Sequence, residues 1–427
     1  MAMDNLKFKF IGVLREDNAV NMNNLAGILH CKRRLEWTRE WLRKNQNQFT
    51  AKENILKEIQ FRSNEIYHLN CFFDITEKQF RFLVNKLGPL ITNYQPHRKK
   101  KFFSAEERLA ITLKYLATGE FHSCRNYCFR ASKPVILKMI GDICMNIYET
   151  LKDHFISTPK TEEEWKTISN AYYKKTRVPN CIGSLTMKHI TFNKHPLKQS
   201  DGEDTLIFTG IVDSNDNFVY ANVEPSPNNS EKIFESSTIK GLIEQDQMNL
   251  PKHPDTGPNY FFVGHGALPV KPYLLNTLKY VPYSSSESST WFNYGSPEYK
   301  YCYAMDRVEY NSESALRMLT NIFPILSAPF RIDSENARKI TLGCVALYNF
   351  LRKTERSFFK SSEKIKCEEE CIVGDEEELK ELEENSPNIS DSMCLKVLRK
   401  QSGDDELADV GRKWLIEYFS DRKNQIF

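Results

Sequence analysis

The spacing of apolar residues divides the chain into two parts. The first has the periodicity of helices, and in the second apolar and polar residues alternate as they do in β-strands. The segment Ser104-Ala-Glu-Glu107 is a capping box, and the leucines after it recur at helical spacing until Gly119, a residue typical of helix ends. A short helix around 121–130 and a longer one over 133–152 are predicted next. This outline predicts a helix-turn-helix-like unit over about 104–152.

After residue 180 the period changes from that of a helix to that of a strand. Cys181–Phe192 alternates, so Leu185 and Met187 should face one way and Thr186 and Lys188 the other. Thr205–Asp213 and Asn217–Glu224 then form a predicted hairpin. Further elements are predicted from a capped helix beginning at 161, a helix over 231–246, a strand over 260–264, and helices over 312–328 and 335–353. This order of elements indicates a mixed α/β (α+β) sheet.

The same patterns give the domain organisation. Acidic runs at Glu368–Glu370 and Asp375–Glu378 mark a segment that is poor in aromatic residues and typical of flexible linkers. The predicted organisation is a helical region over 1–155, a sheet domain over 156–355, an acidic linker over 356–407 and a C-terminal amphipathic helix over 408–427.

Composition excludes some classes of protein. The chain has 427 residues of which 40% are hydrophobic, enough for a sizeable core, and a net charge of only +3. No run of 18 apolar residues occurs, so neither a membrane span nor a membrane partner is expected. The eleven cysteines lack secretory spacing, which favours reduced thiols in the cytosol or nucleus.

Basic residues cluster in the predicted helical region. The tract Arg98, Lys99, Lys100 and Lys101 precedes the helix-turn-helix-like unit and suits phosphate contact or nuclear import. Within the unit, the candidate phosphate contacts are Arg125, Arg130, Lys133 and Lys138. The alternative is a bundle of three helices with ordinary surface charge, and the sequence leaves both open.

Six short stretches carry a resemblance to a known family because they occur in the family's order. They are Glu107–Gly119, Thr161–Trp165, Pro179–Gly183, Lys188–Ile190, Phe262–Gly264 and Asn349–Leu351. Over roughly residues 31–355 the chain resembles the PIF/Harbinger transposases and the domesticated Harbinger transposase-derived nucleases. The resemblance implies a ribonuclease-H-like DDE transposase domain preceded by an all-helical, helix-turn-helix-like region. Family members cut and join DNA with acidic residues that hold two divalent metals.

The resemblance also locates the expected metal ligands, and most of them are replaced. Thr186 stands in place of the first aspartate, His265 of the second and Thr320 of the glutamate, while Glu231 alone keeps a carboxylate. Magnesium and manganese prefer anionic oxygen ligands, so hydroxyls and an imidazole are poor substitutes. Pro324 is also expected to kink the helix that carries Thr320.

A residual metal site has few candidate ligands. Glu231, Asp213 and His265 are the remaining possibilities, but Asp213 is better interpreted as a turn residue of the hairpin. A zinc site would need a third protein ligand beside His265 and Glu231, and the sequence offers none.

These observations predict a domesticated pseudoenzyme that binds DNA or chromatin in the nucleus, with no cofactor and no small-molecule substrate. The cytoplasm is an alternative location. The resemblance also implies a Myb/SANT- or MADF-like nuclear protein as a partner. One alternative is a divergent nuclease that uses Mg²⁺ or Mn²⁺ with Asp213, Glu231 and His265. The other is a protein-interaction adaptor that does not bind DNA.

Overall fold

A computed structural model provides the structure of the chain and describes part of it. The described residues are 75–92, 103–119, 133–192, 206–227, 232–252, 254, 257–265, 267–278, 296–354, 395–397 and 406–421. All belong to the second of the two units into which the chain divides, Ala51–Phe427. The predicted helix at 121–130 and the acidic runs lie outside the described residues.

The helical region begins with α1 (Glu77–Thr92), α2 (Ala105–Thr118) and α3 (Lys133–Phe155). The capping box is confirmed, because the Glu107 backbone N–H donates to Ser104 Oγ at 3.1 Å and the Ser104 N–H donates to Glu107 Oε2 at 2.6 Å. Gly119 ends α2 with a φ of 67°, the left-handed conformation that glycine adopts without strain.

A mixed sheet follows the helix α4 (Glu162–Thr176), as the alternation predicted. Its strands are β1 (Cys181–Ile190), β2 (Leu206–Val212), β3 (Phe218–Pro225), β4 (Phe261–Gly264) and β5 (Leu274–Leu275), in the order β3-β2-β1-β4-β5. The strands β1, β2 and β3 pair antiparallel, which confirms the hairpin, whereas β4 runs parallel to β1. This architecture is consistent with a ribonuclease-H-like fold.

The helices after the hairpin differ in length from the prediction. Only α5 (Thr238–Glu244) forms within the predicted helix at 231–246, and it starts at the cap residue Ser237. The helix α6 (Pro297–Ile322) begins well before residue 312 because Ser296 caps it. Pro324 lies beyond its end and opens a short 3₁₀ turn, so the kink expected from this proline is wrong.

The last helices and strand complete the fold. They are α7 (Ser334–Thr354), β6 (Leu395–Val397) and α8 (Glu406–Ser420). The strand β6 pairs with β1 although it lies inside the predicted linker, where the acidic composition masked its short apolar alternation. The helix α8 packs on α6 with Leu415 and Phe419 buried, so the terminal helix folds back on the body. Among the described helices, none has the length and apolarity needed to cross a bilayer.

The helical region and the sheet share one hydrophobic core. Buried residues of α1, α2 and α3 belong to the same cluster as those of β2, β3, α6 and α7. The predicted domain boundary at residue 155 therefore does not separate two hydrophobic cores. The helices α3 and α7 approach closely at Gly343 of α7, where an added Cβ would lie 2.8 Å from Cys144 Cβ and 2.9 Å from its carbonyl oxygen.

We expect Gly343→Ala to lower the free energy of unfolding by about 1–3 kcal/mol, because the new methyl group would push α7 away from α3. The matched control is Gly241→Ala in α5, where an added Cβ meets nothing within 4 Å. There alanine should raise stability by roughly 0.5–1 kcal/mol through its better helix propensity. Chemical denaturation of the two variants measures both effects, and equal stabilities would contradict the close packing.

Candidate functional site

The face of β1 that lies under α6 is polar although it is buried. Strand alternation places Ser184, Thr186 and Lys188 on this face, and their side chains are 0%, 1% and 4% exposed. The hydroxyls of Ser184 and Thr186 have no hydrogen-bond partner among the described residues. Burying an unsatisfied hydroxyl costs about 1–3 kcal/mol, so this face is not arranged for stability alone.

Lys188 forms an ion pair beneath α6. Its Nζ donates to Glu313 Oε1 at 2.7 Å, with the lysine side chain 5% exposed and the glutamate side chain 39% exposed. A buried ammonium group requires a paired charge, because leaving it unpaired costs several kcal/mol. The carboxylate of Glu313 is thus engaged by the protein's own cation.

His265 follows β4 and reaches the same region. The strand β4 runs parallel to β1 with Gly264 opposite Leu185, so the next residue lies near the level of Thr186. The backbone N–H of Ala267 donates to His265 Nδ1 at 3.1 Å, and Nε2 lies 3.8 Å from Glu309 Oε1. Burial, and then the positive charge of Lys188, lower the pKa of His265, which favours the neutral form of the ring.

Glu309 was not among the residues expected at this site, and the structure places it beside His265. Its pKa rises from 4.5 to about 7, first through burial and then through the negative charges of Glu313 and Asp306, while Lys188 lowers it. Asp306, Glu309 and Glu313 lie at positions i, i+3 and i+7 of α6 and therefore share one flank of the helix. That spacing was visible in the sequence, but the helix was expected to start only after residue 311.

The other expected site residues lie elsewhere. Thr320 is buried on α6, its hydroxyl donates to the Arg317 carbonyl at 3.0 Å, and it lies about 10 Å farther along the helix than Glu313. Asp213 Oδ1 accepts the backbone N–H groups of Asn215 and Asn217 at 2.8 and 2.9 Å, which is the turn role preferred for it. Glu231 lies outside the described residues.

The predicted phosphate contacts are only partly within the described chain. Lys133 and Lys138 are exposed on α3. Arg98, Lys99, Lys100, Lys101, Arg125 and Arg130 fall outside the described residues, so their role stays a prediction.

The cluster is a poor host for two divalent metals. Among the residues that the structure describes, no group of three or more histidine, cysteine, aspartate or glutamate side chains is placed to hold a metal ion. His265 and Glu309 are a candidate pair of metal ligands, and Lys188 contributes a positive charge beside them. A magnesium or manganese pair needs several anionic oxygens, so these residues do not fit it.

Comparisons with known proteins give one distant relative. No family model matches the chain, and no solved structure matches it significantly. The chain is 25% identical over 205 residues to a protein described as Protein ALP1-like from Arabidopsis thaliana. The matched segment covers 44% of this chain and 48% of that protein. It thus spans about half the length of the curated relative that it matches. This is a distant similarity to a Harbinger transposase-derived group, the relation that the motif order indicated.

Glu309→Gln should change how stability depends on pH. The carboxyl of Glu309 has a higher pKa in the folded protein than in the unfolded chain, so its contribution is present below about pH 4.5 and is lost as pH rises to about 7. Glutamine does not titrate and so removes this loss. Between pH 4 and pH 8, the free energy of unfolding of the variant should therefore rise by up to about 3 kcal/mol relative to that of the unaltered protein. Urea unfolding at both pH values measures the difference. Glu417→Gln, at an exposed position of α8, is the control and should give none.

Lys188→Met should raise the pKa of both His265 and Glu309, because the ammonium group lowers the pKa of each. Methionine has a similar volume, and Glu313 is exposed enough to lose its partner without unfolding the protein. NMR titration of the His265 ring measures the shift. Lys252→Met, which removes a lysine paired with Asp246 at the surface, is the control. An unchanged His265 titration in Lys188→Met would show that the ammonium does not act on this cluster.

Proposed function

We propose that the protein is a domesticated, catalytically inactive Harbinger-type transposase that acts as a nuclear DNA- or chromatin-associated binding protein. One observation carries the proposal. The position that resembles the first metal-binding aspartate is the buried hydroxyl of Thr186, and beside it the Lys188–Glu313 ion pair uses a carboxylate of α6. The distant similarity to the ALP1-like protein supports the same origin.

The electrostatic argument against metal-dependent cutting follows from these groups. Two divalent cations need several negative charges close by, together with a protein that leaves those charges free. Here Glu313 is paired with an ammonium group, burial and neighbouring carboxylates raise the pKa of Glu309 to about 7, and burial lowers the pKa of His265. The cluster therefore favours a protein that has kept the transposase frame without its chemistry.

The binding role rests on the frame that remains. The buried core is continuous from the helices α1 to α3 into the sheet, so a helical DNA-contacting region would be held rigidly against the rest. Lys133 and Lys138 are exposed on α3, and the basic tract Arg98–Lys101 precedes this unit in the sequence. A Myb/SANT- or MADF-like protein is the proposed nuclear partner.

A divergent nuclease is the second candidate, and one observation favours it. Glu309 has a pKa of about 7 and lies beside a neutral histidine, which suits general acid–base catalysis near neutral pH. In this case duplex DNA should be nicked in the presence of Mg²⁺ or Mn²⁺, and Glu309→Gln should abolish the nicking. Glu417→Gln should leave it unchanged.

The leading proposal predicts salt-sensitive duplex binding without nicking. Affinity of the full chain for a short duplex should fall steeply between about 50 and about 200 mM salt, as bound phosphates release counterions. Neutralising Arg98–Lys101 to glutamine should reduce the slope of log affinity against log salt by up to about 3–4, roughly one per lost contact. Fluorescence anisotropy measures both quantities.

The same measurements separate the alternatives. Metal-dependent nicking that requires Glu309 would replace the leading proposal by the nuclease. Stable co-purification with a nuclear protein, without duplex binding or nicking, would instead favour an adaptor.

A further inference from the structure

The turn between β2 and β3, residues 213–217, is contacted by cationic side chains of α4 and α7. The middle of α6 also meets this turn, and Arg307 of α6 bonds to the end of α4. The turn-side basic surface is defined by Lys175, Arg307, Arg352 and Lys353, together with Lys174 and Arg177, which are exposed at the same end of α4.

Hydrogen bonds to neutral backbone carbonyls fix four of these cations in place, and one of the four is Lys353, whose Nζ donates to the Phe155 carbonyl at 3.1 Å. Lys175 Nζ donates to the Ser214 carbonyl at 2.8 Å, and Arg352 Nη2 donates to the Asn215 carbonyl at 2.9 Å. Arg307 Nη2 donates to the Lys175 carbonyl at 3.0 Å and so joins α6 to α4. Because a carbonyl has no net charge, these bonds orient the side chains without cancelling their positive charge.

Two carboxylates of the turn, Asp213 and Asp216, lie within electrostatic reach of Lys175, Arg352 and Lys353, and so offset part of their charge. Asp213 accepts backbone N–H groups of the turn, and Asp216 is half-buried and accepts from Asn311 Nδ2 at 2.6 Å. Within the described part of the chain, neither Lys174 nor Arg177 has a carboxylate at ion-pair distance, whereas Lys240 pairs with Glu235 at 2.6 Å. The surface therefore keeps a net positive charge.

Exposed tyrosines lie among the cations. Arg177 stacks over the ring of Tyr173, and Arg307 lies over the ring of Tyr303, with the tyrosines 37% and 36% exposed. Tyrosine hydroxyls and arginine side chains are common donors to phosphate oxygens in protein–DNA interfaces.

The helix α6 separates this surface from the Lys188 cluster. Residues two apart on a helix point about 200° apart, so Arg307 and Glu309 face opposite flanks. A polyanion would be attracted to the flank that carries Arg307, whereas the other flank carries the carboxyl groups of Asp306, Glu309 and Glu313. The charge distribution thus directs a phosphate backbone to the turn rather than to the cluster.

We propose that the turn-side basic surface binds the phosphodiester backbone of duplex DNA, independently of base sequence. This inference rests on the proposed DNA-associated function and adds a contact area on the sheet domain, apart from the basic tract before α2. No local pattern in the sequence reveals this surface, because its residues come from three separate helices.

We expect Lys174→Gln with Arg177→Gln to weaken duplex binding by the full chain about tenfold or more near 100 mM salt and to reduce the salt slope by about 2. Both side chains are exposed, and neither donates a hydrogen bond that holds the turn. The matched control is Lys240→Gln with Lys252→Gln, which removes the same charge where each lysine already pairs with a carboxylate. The control should bind within about twofold of the unaltered protein.

The possible outcomes separate this surface from the proposed function. If the test and control variants lose equal affinity for duplex DNA, or if neither loses affinity, the proposed surface would be wrong. The proposed DNA association would not be affected by that result. Absence of salt-dependent duplex binding by the unaltered chain would overturn both. A third outcome involves polyglutamate of the same charge as the duplex. If it binds the unaltered chain more tightly than duplex DNA does, and the test variant loses this preference, the surface would be assigned to acidic protein segments instead.

A second measurement needs no variant. Acetylation of surface lysines, read by mass spectrometry, should be reduced by duplex DNA at Lys174 and Lys353 and unchanged at Lys252. Equal reactivity of Lys174 and Lys353 with and without DNA would contradict the proposal even if the double variant failed to fold.

Discussion

The ammonium group of Lys188 sits on the central strand of the sheet, buried beneath a helix. Because an unpaired buried cation costs several kcal/mol, α6 has to keep Glu313 within reach of it, and their atoms are 2.7 Å apart. Together with the buried apolar face of α6, that pair holds the helix in one rotation about its own axis. The rotation in turn brings Glu309 beside His265, where burial and neighbouring carboxylates raise the pKa of Glu309 to about 7.

The same rotation gives α6 two electrically different flanks. Its acidic flank lies over the polar face of β1, and its opposite flank extends the cations at the ends of α4 and α7. One helix therefore covers the Lys188 cluster and contributes to the surface that we propose for phosphate. A transposase frame that has lost its metal ligands can keep affinity for nucleic acid, because backbone binding needs surface cations and not a catalytic centre. The frame and the chemistry are separable for this physical reason.

The local signals in the sequence predicted much of the fold. The capping box at Ser104, the stop at Gly119 and the β2–β3 hairpin depend on residues close along the chain, and all three are confirmed. The start of α6 was missed because its cap, Ser296, follows a polar stretch without helical periodicity. The strand β6 was missed because three residues within an acidic segment carry almost no periodic signal. Both depend on distant packing partners that no local pattern reveals.

The sequence by itself determined the alternating faces of β1 and indicated the distant relation to Harbinger-derived proteins. The replacement of acidic residues by Thr186, His265 and Thr320 stays a prediction from the resemblance. Only the tertiary structure decided which charges meet. Glu309 lies 44 positions after His265, and Lys188 lies 125 positions before Glu313, yet each pair is in contact or close to it. Spacing along a helix shows which residues share a flank, but the strand opposite that flank is chosen by packing of the whole core.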